Sequence, residues 1–519
     1  MELSPGKQTF ADDYFIESLY GARRVLGTPE KLTVDGPIDI VLDQPWDAEV
    51  VLISPAVYDD ELCQFRIYYN VWAEDRLLIC ALVSEDGLTW ERPKLGLVEW
   101  AGSKNNNITN CPPGGLMTFC DPYAIDATQR WKRIDNKPTG TKADGSPQWL
   151  AFHSKDGFDW RAYPSGEHSD QQMLFNFGSP GQSFGGYIDP DARYIYYSQR
   201  GSGRRTRIMG RRDSVDGLNW SGLRTVIDQD LDDPPGTEFY GAGFDVANRT
   251  DGGLHTMMLQ TFLSDISEPL VMQDPGSYWG QAEPGPAAVA ARVDGHVDTQ
   301  LAFSRDTVSW TRYRQPFLQR GIPGSWDGGM LYGDAPILHN DRLWLFYSAT
   351  DLSHNGRSHR PDEGRYPQGK NWGKGVAQLR PDGWVSIEAE SFAPGQLTTH
   401  RFRQEDGGRI SVNVDASAGE LHYELLHDTG APITGYGLQD CDPIRTDTLS
   451  TQLSWNGKPG WPAKTEDRSP GCEDLIRSEF YVKLRFHIAP ATKFYALTIA
   501  PPEVTMWQVH RSDRPRRID

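Results

Sequence analysis

The chain is poor in the residues that mark most simple functional classes. Six cysteines are spread over 519 residues (Cys63, Cys80, Cys111, Cys120, Cys441 and Cys472) and none forms a Cys-x-x-Cys pair. That excludes a zinc ribbon, a thioredoxin-type redox motif and a disulfide-dense scaffold; Cys441 and Cys472 share a domain and could bridge, with free buried thiols as the default. No run of about 18 apolar residues occurs, so no membrane-spanning helix is expected. Met1-Glu-Leu-Ser-Pro has no basic, then apolar, leader pattern, and the expectation is a cytoplasmic chain or an exported one given without its leader. There is no Walker loop, no Rossmann glycine fingerprint and no His-Glu-x-x-His, and neither cofactor nor metal is expected. Basic residues are outnumbered as well, 52 Lys+Arg against 71 Asp+Glu, for a net charge of -19. A nucleic-acid partner or an anionic membrane surface would want the opposite sign, whereas a neutral substrate meets no repulsion.

What is present is repetition. Ser84-Glu-Asp86-Gly87-Leu-Thr-Trp90, Ser154-Lys-Asp156-Gly157-Phe-Asp-Trp160, Ser214-Val-Asp216-Gly217-Leu-Asn-Trp220 and Ser304-Arg-Asp306-Thr-Val-Ser-Trp310 are copies of one phrase, with a fifth, eroded copy at Arg380-Pro-Asp382-Gly383-Trp384. Asp-Gly supplies the positive φ of a tight turn, and the following Trp can cover the outer edge of the sheet that the turn closes. Aromatic or alternating runs precede each copy, among them Phe65–Tyr69, Tyr194–Tyr197 and Arg342–Tyr347, and no sustained 3.6-residue period is found. The pattern predicts an all-β chain: a five-bladed β-propeller over 1–384, followed by a β-sandwich over 385–519 with strands such as Arg409–Val414 and Tyr481–Phe486.

In a propeller the innermost strands bring distant residues to one funnel, so acids at the starts of those strands are the candidates for chemistry. Five segments qualify: Trp46-Asp47 before blade one, Asp121-Pro122 in blade two, Gly181-Gln182-Ser183 in blade three, Glu238-Phe-Tyr240 in blade four and Trp326-Asp327 in blade five. Converging carboxylates repel one another unless their proton affinities split into acid and base roles. Aromatic side chains beside them can stack on sugar C–H faces. Other motifs read as accidental: Gly181-Gln-Ser183-Phe-Gly185 mimics a nucleophile elbow without its helix, Asp228 to Asp233 is an incomplete calcium loop, and the sequons at Asn107, Asn219 and Asn248 matter only on export.

At these residues the chain resembles a known group. Asp121-Pro122, shortly after an aromatic, is similar to the Arg-Asp-Pro element of glycoside hydrolase family 32, and the layout resembles the five-bladed propeller glycosidases of families 32, 43, 62 and 68. Phe10 to Glu17, Pro93 to Glu99, Gly324 to Asp327 and Asp440 to Arg445 look like phrases of bacterial family 32-like proteins of undefined substrate. The resemblance implies a carbohydrate-active enzyme with three funnel carboxylates: Asp47 as nucleophile or base, Asp121 as transition-state stabiliser and Glu238 as general acid. Trp46, Gln182, Tyr240, Trp326 and Asp327 would bind substrate, and Asp327 could replace one of the three. The family's Trp-x-Asn-Asp-Pro-Asn-Gly signature is absent, position 120 is Cys rather than Arg, and Glu238 is followed by Phe239 rather than Cys. The expected reaction is hydrolysis of a furanoside, fructofuranoside or arabinofuranoside, in an oligosaccharide or polysaccharide, with a transglycosylase, a fructotransferase or a non-catalytic sugar-binding propeller as alternatives. The sugar, its linkage and the oligomeric state are not legible in the sequence.

Overall fold

The structure, a computed structural model, describes residues 6–39, 43–47, 50–74, 76–111, 118–121, 124–134, 140–141, 147–148, 150–167, 183–185, 194–201, 207–216, 220–244, 254–264, 295–354, 372–403, 409–460 and 481–500. The described chain is all-β; its one helical element is the 3-10 turn Ala127–Gln129. Two compact units are present, one of residues 29–248 and 256–378, the other of 1–28, 249–255 and 379–519.

Among the described residues the first unit contains five antiparallel sheets of four or five strands in chain order, besides the two-stranded pair Gly140–Thr141 and Pro147–Gln148. The first places Val50–Ile53 and Val57–Asp59 along Gln64–Ala73, with Arg76–Ser84 beyond. The second runs Thr118–Cys120, Trp131–Ile134, Leu150–Ser154, Arg161–Glu167. The third runs Ser183–Gly185, Tyr194–Gly201, Arg207–Ser214, Arg224–Ile227, and the fourth Thr237–Phe244, His255–Ser264, Gly295–Ser304, Thr311–Leu318. The fifth sets Met330–Gly333 and Ile337–His339 along Arg342–Thr350, then Gly373–Leu379, and takes its last strand, Glu30–Lys31, from the start of the unit. Central strands such as Gln64–Ala73 are buried along nearly their whole length, because sheets pack against both of their faces, and the polar Arg66 and Asn70 are buried with the apolar residues.

Each sheet shares a core with the next, and the fifth shares one with the first. Tyr68, Ile79 and Ala81 pack with Trp131, Phe152 and Trp160; Phe119 and Ala151 pack with Tyr194 and Tyr196. Ile195, Tyr197 and Met209 pack with Phe239, Phe244 and Met257; Phe262 and Val297 pack with Met330 and Tyr332. Trp344, Phe346 and Val376 pack with Phe65 and Ile67, which makes the sequence of contacts cyclic.

The repeated phrase occupies one place in four sheets. Its Ser ends the third strand each time, and its hydroxyl lies 3.0 Å from the Asp carboxylate in all four copies. Positive φ falls on Gly87 (72°), Gly157 (79°) and Thr307 (62°). Residues 217–219 of the third copy lie outside the described residues. The tryptophans do not cap their own sheet's edge. Trp90 packs on Phe346, Trp160 on Tyr68, Trp220 beside Phe119 and Ala151, and Trp310 on Tyr197, each time filling the seam with the preceding sheet. The eroded fifth copy is a different turn: positive φ falls on Asp382 (63°), whose carboxylate takes hydrogen bonds from Lys7 (2.9 Å) and Asn413 (2.9 Å) within the second unit.

Among the described residues the second unit has two antiparallel sheets of five and six strands, besides the two-stranded pair Ser454–Trp455 and Lys458–Pro459, around one core that includes Phe10, Phe15, Ile410, Val412, Tyr423, Leu484, Phe486 and Leu497. Its composition departs from the expected division at residue 384. Gly6–Thr9 pairs with Lys493–Ala500, Ile16–Tyr20 with Gly395–Thr399, and Ala22–Leu26 with Val385–Ala389, so the chain's first strands complete sheets built from its end. Asp442 holds a local turn there, accepting from Ser454 (2.6 Å) and the Gly457 N–H (2.8 Å). Cys441 is a free thiol, and Cys472 lies outside the described residues. Among the described residues no helix is long and apolar enough to cross a membrane.

Candidate active site

The first strands of sheets two to five adjoin one another in turn: 118–120 meets 183–185, which meets 237–244, which meets 330–333. The approach is close enough to forbid side chains at one point. A Cβ on Gly243 would come within 2.3 Å of the Asp334 backbone, so glycine is what lets the fourth and fifth sheets meet here.

Glu238 is the second residue of the strand Thr237–Phe244. The turn after Pro234 is capped by Thr237, whose N–H (3.2 Å) and hydroxyl (2.7 Å) both donate to the Pro234 carbonyl, so turn-capping does not account for Glu238. Its carboxylate, about one-fifth exposed, instead takes a 2.8 Å hydrogen bond on Oε2 from Arg207. Burial raises its proton affinity, the Arg207 charge and the hydrogen bonds from its backbone N–H and guanidinium oppose this, and burial prevails: the pKa lies above the ordinary value of 4.5. A carboxyl held protonated into a higher pH range can deliver a proton. Arg207 lies over the rings of Tyr240 (4.7 Å) and Phe262 (5.3 Å), and the Tyr240 hydroxyl is 2.8 Å from Nε2 of His354.

Asp47 and Asp327 each precede a first strand by three residues, ahead of Val50–Ile53 and Met330–Gly333. Asp47 is buried and accepts from Tyr69 (2.9 Å), Arg92 (2.7 Å) and the Gln44 N–H (3.3 Å). Asp327 is buried and accepts from Lys31 (2.5 Å), Ser325 (3.0 Å) and Tyr347 (3.4 Å). The adjacent tryptophans differ. Trp46 is a core residue of the first sheet with its indole N–H on Asn107 (2.9 Å), which leaves it no open face for a sugar. Trp326 stacks on Tyr347 (5.8 Å, 16°), donates to the Thr33 carbonyl (3.0 Å) and keeps part of its surface open.

Asp121 stands elsewhere along its strand. It follows Thr118–Cys120, with its N–H on the Arg130 carbonyl (2.6 Å), just as Ser54 follows Val50–Ile53 (to Tyr68, 2.7 Å) and Asp334 follows Met330–Gly333 (to Phe346, 2.9 Å). It is therefore a strand-exit residue, while Asp47, Glu238 and Asp327 are strand-entry residues. Its carboxylate is buried and holds Lys132 (2.8 Å) and Tyr194 (2.8 Å). Asp334 likewise meets a fully buried Lys374, which also donates to the Ser54 carbonyl (3.1 Å); burial pushes both groups of that pair toward neutrality and their attraction opposes it. Gln182 lies outside the described residues.

No family model and no curated protein matches this chain. Among solved structures, one titled "Glycoside hydrolase" is 15% identical over 69% of this chain and 93% of its own, with a TM-score of 0.40. A glycosyl hydrolase from Bacteroides ovatus is 12% identical over 69% of this chain and 95% of its own, TM-score 0.40. The beta-1,2-mannobiose phosphorylase from Listeria innocua is 9% identical over 68% and 96%, TM-score 0.39. Likenesses this distant carry no functional inference.

Several neighbours were not anticipated: Tyr69, Arg92, Lys31, Tyr347 and Arg207 on the acids, and His354 on Tyr240. Tyr69 and Tyr347 had a signal, since each ends the aromatic run of its sheet's second strand; Lys31 had none, because its place depends on the pairing Ala377↔Lys31. Asp230 and Asp233 are engaged by Arg312 and Arg314 rather than arranged around a cation: Arg314 donates to Asp230 at 2.6 Å and Arg312 to Asp233 at 2.6 Å. Among the described residues no cluster of metal ligands is found. Ser183 begins a strand paired with Tyr197, as the dismissal of a nucleophile elbow requires. Asn107 is fully buried, donating to Tyr69 (3.0 Å) and the Ala81 carbonyl (2.8 Å), so its sequon is closed to a glycan in the folded chain.

Proposed function

We propose that the protein is a glycoside hydrolase, with the first unit a five-bladed β-propeller and the second an accessory β-sandwich. The observation that carries this reading is Glu238: a largely buried carboxyl at the entry of an inner strand, with raised proton affinity and an arginine guanidinium on Oε2. In this role it protonates the departing glycosidic oxygen. Asp47, held by Arg92 and Tyr69, supplies the second carboxylate and either attacks the anomeric carbon or activates water; the distance between the two carboxyls across bound sugar sets retention or inversion. Asp121, tied to Lys132 and Tyr194, acts by holding the inner strand and its charge in place. The net charge of -19 suits a neutral glycan, and a non-reducing-end furanoside is the substrate class we favour from the resemblance in layout.

The test is turnover of a panel of aryl furanosides and pyranosides, fructans and arabinans by the wild type and by Glu238→Gln, with product identification. Loss of about two to four orders of magnitude on unactivated glycosides, and much less on activated aryl leaving groups, supports the assignment. Equal turnover by the two proteins on an unactivated glycoside removes Glu238 from the mechanism. Sugar binding with no turnover by either protein would make the site a binding module.

A further inference from the structure

We propose that Arg207 is a positioning residue for Glu238, fixed in an aromatic slot that is tied to a neighbouring sheet through Tyr240 and His354. The proposal rests on Glu238 being the acid of the site.

The parts come from three sheets. Arg207 opens the third strand of the third sheet. Glu238, Tyr240 and Phe262 belong to the fourth, on paired strands with Glu238 directly opposite Phe262. His354 follows the strand Arg342–Thr350 of the fifth sheet, and Tyr332 lies on that sheet's first strand. The guanidinium has ring faces at 4.7 and 5.3 Å, which removes most of the rotameric freedom of a long side chain and leaves its Nη1 on Glu238 Oε2. The rings are themselves fixed. Tyr240 meets Tyr332 edge-on at 5.7 Å, His354 packs on Tyr240 (5.5 Å) and Phe262 (5.0 Å), and the His354 backbone N–H donates to the Gly295 carbonyl (2.9 Å).

The consequence is electrostatic and directional. Burial by itself would push the Glu238 proton affinity higher still; a cation on one oxygen restrains it, and a cation that cannot swing away restrains it by a constant amount. It also holds the carboxylate in one orientation, with Oε2 on the guanidinium. Among the described residues the titratable and charged groups facing this cluster are Arg207, Tyr332, which burial keeps neutral well beyond its ordinary range, and Tyr240 and His354, which bond each other.

The test reads Glu238 directly, without substrate. Protein labelled with 13C at the glutamate side-chain carboxyl is titrated by NMR, with the Glu238 signal assigned by its loss in Glu238→Gln. In Arg207→Met the Glu238 titration is expected to move up by about one pH unit or more. Arg207→Lys, which restores charge but not the planar fork, is expected to move it up by less, and Tyr240→Phe, which cuts the tie to His354, by less again. A Glu238 titration that stays put in Arg207→Met or Arg207→Lys, in protein with unchanged circular dichroism, overturns the inference. Where turnover is measurable, the alkaline limb of kcat/KM must shift with the NMR titration. If the titration shifts while Glu238→Gln keeps wild-type turnover, the coupling of Arg207 to Glu238 stands and the glycosidase reading falls.

Discussion

Asp47 and Asp327 are the same residue twice, in the first and fifth sheets. Each follows a tryptophan, each precedes its first strand by three residues, and each accepts a hydrogen bond from the tyrosine paired opposite the fourth residue of that strand, Tyr69 facing Ile53 and Tyr347 facing Gly333. The cation differs, Arg92 on one and Lys31 on the other, as does the third donor, the Gln44 N–H on Asp47 and the Ser325 hydroxyl on Asp327. This quasi-equivalence yields a prediction that separates the two acids. On substrates turned over by the wild type, Asp47→Asn is expected to cost about two orders of magnitude or more in kcat, and Asp327→Asn to act mainly on KM. Steady-state kinetics decide it, and the reverse pattern would exchange the two roles.

Glu238 bears on stability with the opposite sign to its use. Its folded-state pKa is raised, so the folded protein holds that proton more tightly than the unfolded chain, and ionising it at neutral pH opposes folding. Glu238→Gln is therefore expected to melt at or above the wild-type temperature at pH 7. The gain should vanish as pH falls below the ordinary glutamate value of 4.5, where both states carry the proton. Melting curves across this range test it, and a lower Tm at pH 7 would mean that Arg207 depends on the charge more than burial opposes it.

The seam between the fifth and first sheets contains the Lys374–Asp334 pair, with Lys374 fully buried and Asp334 also accepting from the Ala56 N–H (3.1 Å). Removing one partner strands the other in an apolar seam. Lys374→Met is expected to destabilise by about 3–5 kcal/mol, and Lys374→Met with Asp334→Leu to recover much of the loss. Urea unfolding of the two variants is the measurement.

Backbone approach gives a paired glycine test. Gly243→Ala drives a methyl into the Asp334 carbonyl region and is expected to cost about 1–3 kcal/mol or more, whereas Gly222→Ala, with nothing within 4 Å of the added atom, is expected to be near neutral. Equal stability of the two would disprove the close contact of the fourth and fifth sheets.

The repeated phrase predicts acid sensitivity. Burial alone would raise the Asp306 pKa, but the N–H groups of Ser309 and Val308, with the hydroxyls of Ser309 and Ser304, outweigh it and bring the pKa down to about 2. A depressed carboxylate stabilises the fold above its unfolded pKa and loses that contribution as pH falls through the folded one. Asp306→Asn is expected to show a shallower loss of stability between about pH 4 and pH 2 than the wild type. Parallel slopes in acid titrations of the two would count against it.

Much of this architecture is local and was therefore legible in the chain. The Ser-x-Asp-Gly phrase closes through hydrogen bonds spanning three residues, so any copy forms the same turn wherever it sits, and the aromatic runs before it are buried on both faces. Glu238 and Asp47 could be nominated because they stand at strand entries, a matter of sequence position. Other features depend on pairings between residues hundreds apart. The placement of residues 6–26 in the second unit, the addition of Glu30–Lys31 to the fifth sheet, and the departure of the fifth phrase from its copies are such pairings. Strand partners at that separation are chosen by register and by which edge is left open, and neither is written in a local pattern. The partners of the acids belong to the same class. Arg207 reaches Glu238 from another sheet, and Asp121 proves to be the counterpart of Asp334 rather than of Asp47 because its N–H bonds the next strand at the exit. Residue type can be read from the chain; the neighbour that sets its charge is fixed only once the sheets meet.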